Sequence, residues 1–189
     1  MSAQPMPARR YVLLDRDGTI NVEKHYLADP DLLELYPGAG AAMRALQDKG
    51  FGLAVVTNQA GIARGKITPA QLDAVHARLA KLLAAEGVKL DGLYFCPHGP
   101  DDNCACRKPG PGMVEQAVAE LGFDPKRAFV VGDKGIDIDL GKGVGAATIL
   151  VRTGYGAETE RDKLASPDFI ADDLPAAARW IIAQAETHS

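Results

Sequence analysis

The chain has 189 residues, of which 47% are hydrophobic and 24% charged, with a formal net charge of −4 and a pI near 5.6. This length and balance suit one domain with a substantial core, exclude the disordered and collagen-like classes, and leave no global positive field to attract nucleic acid. No apolar run is long enough to cross a bilayer, and the first ten residues lack the apolar centre of a secretory leader, so a cytoplasmic protein with no membrane partner is expected.

After a polar tail expected to be flexible over residues 1–9, the apolar run Tyr11 to Leu14 stops at Asp15, and the turn pair Asp17-Gly18 follows. That pattern predicts a buried strand ending in a loop. Pro37-Gly38 opens a helical pattern through Met43 and Leu46 that Gly50 ends, and Phe51 to Val56 reads as a strand stopping at Thr57-Asn58. Thr68-Pro-Ala-Gln71 fits a capping box, with Leu72, Val75, Leu79, Leu82 and Leu83 along one helical face until Gly87. Gly92 to Cys96 is strand-like. The segment Cys96 to Gly112, with three Cys, one His and four Pro, is too polar to be core. Met113 to Leu121 resumes a helix, Ala128 to Val131 is a short apolar strand stopping at Gly132-Asp133, Thr148 to Val151 and Asp168 to Ala171 are further strands, and Pro175 to Ala185 is a closing helix. Fully apolar strands alternating with amphipathic helices predict an α/β fold: a Rossmann-like parallel sheet with helices on both faces, in one domain spanning residues 10–187. The absence of an exposed apolar heptad or long apolar patch points to a monomer.

Asp15, Thr57-Asn58 and Gly132-Asp133 each follow a predicted apolar strand, where open α/β sheets place their ligand sites. One Asp-Gly pair alone is a turn former; three such segments at one sheet edge are a site. In Asp15-Arg-Asp17-Gly-Thr19, two carboxylates two residues apart can divide the labour of a phosphoryl transfer. Asp15 can attack phosphorus, while Asp17 protonates the leaving oxygen and later deprotonates water. Asp133 and Asp137 add hard oxygen ligands of the kind magnesium prefers. Lys108 can clamp the phosphoryl group, and Thr57 and Asn58 can donate hydrogen bonds to it.

Cys96, His98, Cys104 and Cys106 place four metal ligands within eleven residues. An odd number of cysteines crowded into one stretch argues against disulfides, and four such ligands suit a closed, structural zinc site stapling residues 96–106. Pattern alone gives His25 and His76 no role, His76 being placed on the polar side of its helix.

Asp15-Arg-Asp-Gly-Thr19, Thr57-Asn58, Lys108 and Gly132-Asp133-Lys-Gly-Ile-Asp137 resemble, in order, the four motifs of the haloacid dehalogenase superfamily phosphatases. The resemblance implies Asp15 as nucleophile and magnesium ligand, and Asp17 as general acid/base that binds the metal through its backbone carbonyl. It implies Asp133 as a further ligand, with Asp137 either a ligand or directly behind one. Within the superfamily, the zinc loop followed by Arg107-Lys108-Pro109 is similar to two groups, the D-glycero-D-manno-heptose-1,7-bisphosphate 7-phosphatases and the histidinol-phosphatases. The form of Thr57-Asn-Gln-Ala-Gly-Ile-Ala-Arg-Gly65 favours the heptose group, active in lipopolysaccharide core biosynthesis. That group implies substrate contacts from Glu23, Lys24, His25, Tyr26, Thr57, Asn58, Gln59, Ala60, Arg107, Lys108 and Lys134, with Arg107 reading the phosphate that is retained. Spacings between the motifs leave no room for a separate cap domain, so loops carrying Lys24, Arg64, Lys66 and Arg107 would select a small polyanion. A non-catalytic zinc-bearing module is the alternative of a different class. The chain's acidity and single Trp weigh against it.

Overall fold

The computed structural model describes residues 9–187. The expectation of a flexible tail therefore lies outside the described residues except at Arg9, whose guanidinium donates to Phe51 O at 2.8 Å and pairs with Asp91 at 3.0 Å.

Six parallel strands form one sheet: β1 (Tyr11–Leu14), β2 (Gly52–Asn58), β3 (Gly92–Cys96), β4 (Phe129–Gly132), β5 (Ala147–Val151) and β6 (Phe169–Ala171), in the order β3-β2-β1-β4-β5-β6. β1 lies between β2 and β4, with Leu13 opposite Ala54 on one side and Val130 on the other. Every residue of β1 and β4 is buried, which is why these strands lack inside-outside alternation. Successive residues instead feed two cores. Val12, Leu14, Val55 and Val131 join one cluster with α1 (Ala39–Asp48), α2 (Pro69–Ala85) and α6 (Leu174–Thr187). Leu13, Ala54, Val56 and Val130 join the other with α3 (Gly112–Leu121) and α4 (Gly135–Val144). A short helix, α5 (Gly156–Arg161), follows β5.

The helices begin and close where local chemistry allows. Thr68 Oγ1 accepts the Gln71 N–H at 3.2 Å, and Gln71 Oε1 accepts the Thr68 N–H at 2.9 Å, so the capping box of α2 is complete. Leu72, Val75, Leu79 and Leu83 then pack inward as their spacing predicts. Trp180 of α6 stacks on Phe169 at 4.8 Å and meets Phe129 edge-on, fastening the last helix to the sheet.

Two α-helices among the described residues, α4 and α5, have no counterpart in the sequence reading. Gly135, Gly141 and Gly143 lower the helical signal of α4. The structure explains Gly141: a Cβ there would lie 2.4 Å from Thr148 Cγ2 and 3.1 Å from Val130 Cβ, so glycine lets this helix approach the sheet. β2 also runs two residues beyond its expected end, carrying Thr57 and Asn58 inside the strand. Reversal of strand order on the two sides of β1 opens a crevice beyond the carboxyl ends of β1, β2 and β4.

Candidate active site

The crevice holds a cavity of about 320 Å³ lined by Asp15, Asp17, Thr57, Lys108, Lys134, Asp137 and residues of the loops above them. Asp15 is fixed from below because its N–H continues the sheet ladder to Val131 O at 2.9 Å. Lys108 is buried beneath the cavity, and its ammonium has three acceptors: Asp15 Oδ1 at 2.8 Å, Asp137 Oδ1 at 2.7 Å and Val56 O at 2.8 Å. Burial opposes its charge, but Asp137 and Asp15 outweigh that and raise its pKa, so it stays an ammonium. Asn58 lines the cavity as expected and also holds Lys108 in place. Its Oδ1 accepts the Lys108 N–H at 3.0 Å and its Nδ2 donates to Lys108 O at 3.3 Å.

Asp17 lies to one side of this cluster. Arg16 Nη2 donates to its Oδ2 at 2.6 Å, Gln59 Nε2 to the same oxygen at 3.0 Å, and Asn21 Nδ2 to its Oδ1 at 2.9 Å. Burial alone would raise this carboxyl; the Arg16 guanidinium and the Asn21 and Gln59 bonds overcome it and lower the pKa. Gln59 Nε2 also donates to Thr57 Oγ1 at 3.0 Å, which leaves the threonine hydroxyl proton available to a ligand. His76 is a correction to the sequence reading. It is half-buried against Phe95, its ring centroid 5.5 Å away, and burial with the Arg16 charge pushes it down to about 4.

Asp15, Asp133 and Asp137 bring one carboxylate oxygen each within 4.8 Å of one another. The fit to a hard divalent cation rests on Asp133, which is fully buried with Oδ1 lacking any hydrogen-bond partner, while burial and the nearby Asp15 push its carboxyl up to about 8. An unpartnered carboxyl oxygen of this kind is what a bound magnesium satisfies. Asp137 already spends one oxygen on Lys108 and the other on the Lys134 N–H at 3.0 Å. These bonds hold the first turn of α4, and since each carboxylate oxygen keeps a further lone pair, both expected positions of Asp137, as a metal ligand or directly behind one, fit the geometry.

Cys96, His98, Cys104 and Cys106 converge as expected. Five of the six pairs among their Sγ and Nδ1 atoms lie 3.1–3.6 Å apart, near the ~3.7 Å sulfur–sulfur edge of a tetrahedron with Zn–S bonds of about 2.3 Å. With all four corners supplied by protein, a zinc ion held here would be a staple. Arg107 is tied to the staple, its Nη1 donating to His98 O at 3.1 Å.

Of the other predicted substrate contacts, Glu23, His25, Tyr26, Gln59, Ala60, Arg107 and Lys134 line the cavity. Lys24 does not; its ammonium turns to Glu34 at 3.6 Å. Arg64 bonds the Tyr26 hydroxyl, and neither it nor Lys66 lines the cavity. Lys134 pairs with Glu23 at 3.3 Å, and its charge is favoured by Asp133, Asp15 and Glu23 against the cost of burial. Tyr155 and Ile136 line the cavity and were missed. The rule that found Asp15 and Asp133, to look just beyond the end of a buried strand, also reaches Tyr155 when applied to β5.

Comparisons with known proteins agree with this geometry. A family model described as "HAD-hyrolase-like" matches residues 105–177. The chain is 41% identical over 176 residues to D-glycero-beta-D-manno-heptose-1,7-bisphosphate 7-phosphatase of Pseudomonas aeruginosa, covering 93% of this chain and 99% of that protein. It is 41% identical over 188 residues to the Escherichia coli protein of the same name, covering 94% and 96%. A crystal structure of D,D-heptose 1,7-bisphosphate phosphatase from B. bronchiseptica, complexed with magnesium and phosphate, matches with a TM-score of 0.87 at 34% identity over 93% of this chain and 99% of that one. Likeness over nearly the whole of both chains, added to a lysine-bridged carboxylate cluster at the sheet edge, settles the lineage: the chain belongs to the haloacid dehalogenase-type phosphatases, in the family of the D-glycero-beta-D-manno-heptose-1,7-bisphosphate 7-phosphatases.

Proposed function

We propose that the chain hydrolyses the 7-phosphate of D-glycero-beta-D-manno-heptose 1,7-bisphosphate through an aspartyl phosphate on Asp15, supplying heptose 1-phosphate for lipopolysaccharide synthesis in the cytoplasm. The observation that carries the chemistry is the Lys108 bridge between Asp15 and Asp137, which holds a carboxylate nucleophile and a phosphoryl-binding cation on one rigid floor. Likeness to the named relatives carries the substrate.

In the first step an Asp15 oxygen bonds to phosphorus as the P–O bond to the sugar breaks, and Asp17 gives its proton to the departing oxygen. In the second, Asp17 takes a proton from water, the water oxygen attacks phosphorus, and phosphate leaves with Asp15 restored. Magnesium, held by Asp15, Asp133 and the Asp17 backbone carbonyl, neutralises phosphoryl charge that these carboxylates would otherwise repel. Lys108, the Thr57 hydroxyl and Lys134 stabilise the transferring oxygens. At rest Asp17 is bonded as an anion by three donors, the form that serves as base. Protonation weakens its hold on Arg16 and frees it to turn toward the leaving oxygen.

Phosphate release from both anomers of heptose 1,7-bisphosphate, histidinol phosphate and fructose 1,6-bisphosphate, with and without a magnesium chelator, tests the reading. The expected result is magnesium-dependent turnover led by the beta anomer by at least about tenfold in kcat/KM, abolished in Asp15→Asn. If histidinol phosphate leads, the substrate assignment is wrong. If Asp15→Asn keeps its activity, the nucleophile is.

A further inference from the structure

We infer that Tyr155 is a specificity-determining residue whose ring forms the wall against which the sugar of the substrate rests; this inference rests on the heptose reading above. The ring lines the cavity and lies beneath the Lys134 ammonium, which is 4.9 Å from its centroid. Lys134 itself lies beside the metal carboxylates, 3.9 Å from Asp133 Oδ1. A phosphoryl group accepted by Lys134 is therefore within one substituent of the ring, and the first carbons of the group it leaves must pass along the tyrosine. A pyranose presents C–H bonds of slight positive charge, which an aromatic face attracts as it attracts the ammonium already over it. The tyrosine hydroxyl faces His25 Nδ1 at 3.3 Å, joining the wall to the early loop on the other side of the mouth.

The fold does not need this side chain. Tyr155 is only half-buried, and its hydroxyl and ring contacts are with His25 and Lys134, both cavity residues. What positions it is main chain: its N–H donates to Asp133 Oδ2 at 2.8 Å and its carbonyl accepts the Thr159 N–H at 2.9 Å. The preceding Gly154 has φ +56° and lies so close to Gly18 that a Cβ would stand 2.6 Å from the Gly18 Cα. Any residue but proline at 155 can keep these bonds, so substitution probes the wall and spares the metal ligand.

The test compares kcat/KM for heptose 1,7-bisphosphate and for acetyl phosphate, an acyl phosphate that donates the same phosphoryl group and carries no sugar, in wild type, Tyr155→Phe, Tyr155→Leu and Tyr155→Ala. Expected losses on the sugar substrate are about twofold for Phe, where only the His25 bond goes, and about tenfold or more for Leu and Ala. Acetyl phosphate should change by less than about twofold in all three. Equal losses on both substrates would overturn the inference and make the ring a prop for Lys134, as would full sugar selectivity in the Ala variant. A wild type indifferent between the two substrates would overturn the heptose reading and the sugar wall together.

Discussion

Replacing Lys108 by methionine keeps the length of the buried stem and removes its charge. Two contacts of 2.7–2.8 Å to Asp137 and Asp15 are lost. At an effective permittivity of about 20, each is worth about 6 kcal/mol of Coulomb attraction, most of it cancelled by the cost of burying the three charges. What the substitution exposes is the uncompensated remainder, and removing one partner from a buried group of this kind costs about 3–5 kcal/mol. That is a large share of a typical domain's stability. Urea denaturation at pH 8 with the metal chelated should show the full loss, and saturating magnesium should restore part of it. Burial already raises the Asp137 carboxyl, and Lys108 is what holds it down. Without the lysine its folded value rises further above the unfolded one, so the folded state gains a proton, and stability, as the pH falls through that value. The deficit should therefore shrink at pH 5.5. An equal deficit at both pH values, or none, would refute the electrostatic account and leave only stem packing.

Other predictions follow from the same floor. Gly18 and Gly122 both have positive φ, but a Cβ at Gly18 would lie 2.1 Å from Asp133 Oδ2, while one at Gly122 meets nothing within 4 Å. Gly122→Ala should cost about 1 kcal/mol with kcat unchanged, whereas Gly18→Ala should weaken magnesium binding at least about tenfold, as titration calorimetry would show. With Asp133 pushed up to about 8 in the metal-free protein, magnesium must displace a proton below that pH. Its affinity should fall by up to about tenfold per unit between pH 8 and pH 6, with proton release visible in buffers of different ionisation enthalpy. A pH-independent affinity would contradict the burial of Asp133 as an orphaned group. Metal-free stability should also fall as pH rises from the ordinary carboxyl range toward 8, because the folded pKa lies above the unfolded one. Cys106→Ser should lose the bound zinc, lower the melting temperature by about 5 °C, and raise KM more than it lowers kcat; unchanged zinc content by mass spectrometry would rule out the staple.

What the sequence made legible follows from burial. β1, β2 and β4 are covered on both sides, so they read as unbroken apolar runs, and Asp15, Thr57 and Asp133 stand out at their ends. The Cys/His cluster was legible because its polar, proline-rich surroundings leave thiols no other use. α4 was not, since the glycine that brings it against Val130 and Thr148 also dilutes its periodicity, and six-residue α5 is too short to show any. Side-chain direction lay beyond pattern altogether. Lys24 and Lys134 are both basic residues of site loops, yet one ammonium turns to Glu34 and the other to Glu23 at the cavity. Neither the partial burial of His76 against Phe95 nor the service of Asn58 to Lys108 leaves a trace in composition or spacing.

The link from His98 to Arg107 couples two economies that enzymes usually keep apart. The carboxylates of the phosphoryl floor are carried by β1, β4 and the first turn of α4, and Asn58 of β2 grips the Lys108 main chain from outside the staple, whereas the guanidinium expected to read the retained phosphate is steered by a carbonyl within the staple. Zinc scarcity in a cell would then register as a broadening of diet: a phosphatase still able to cleave, but less able to tell a bisphosphate from the many monophosphates around it.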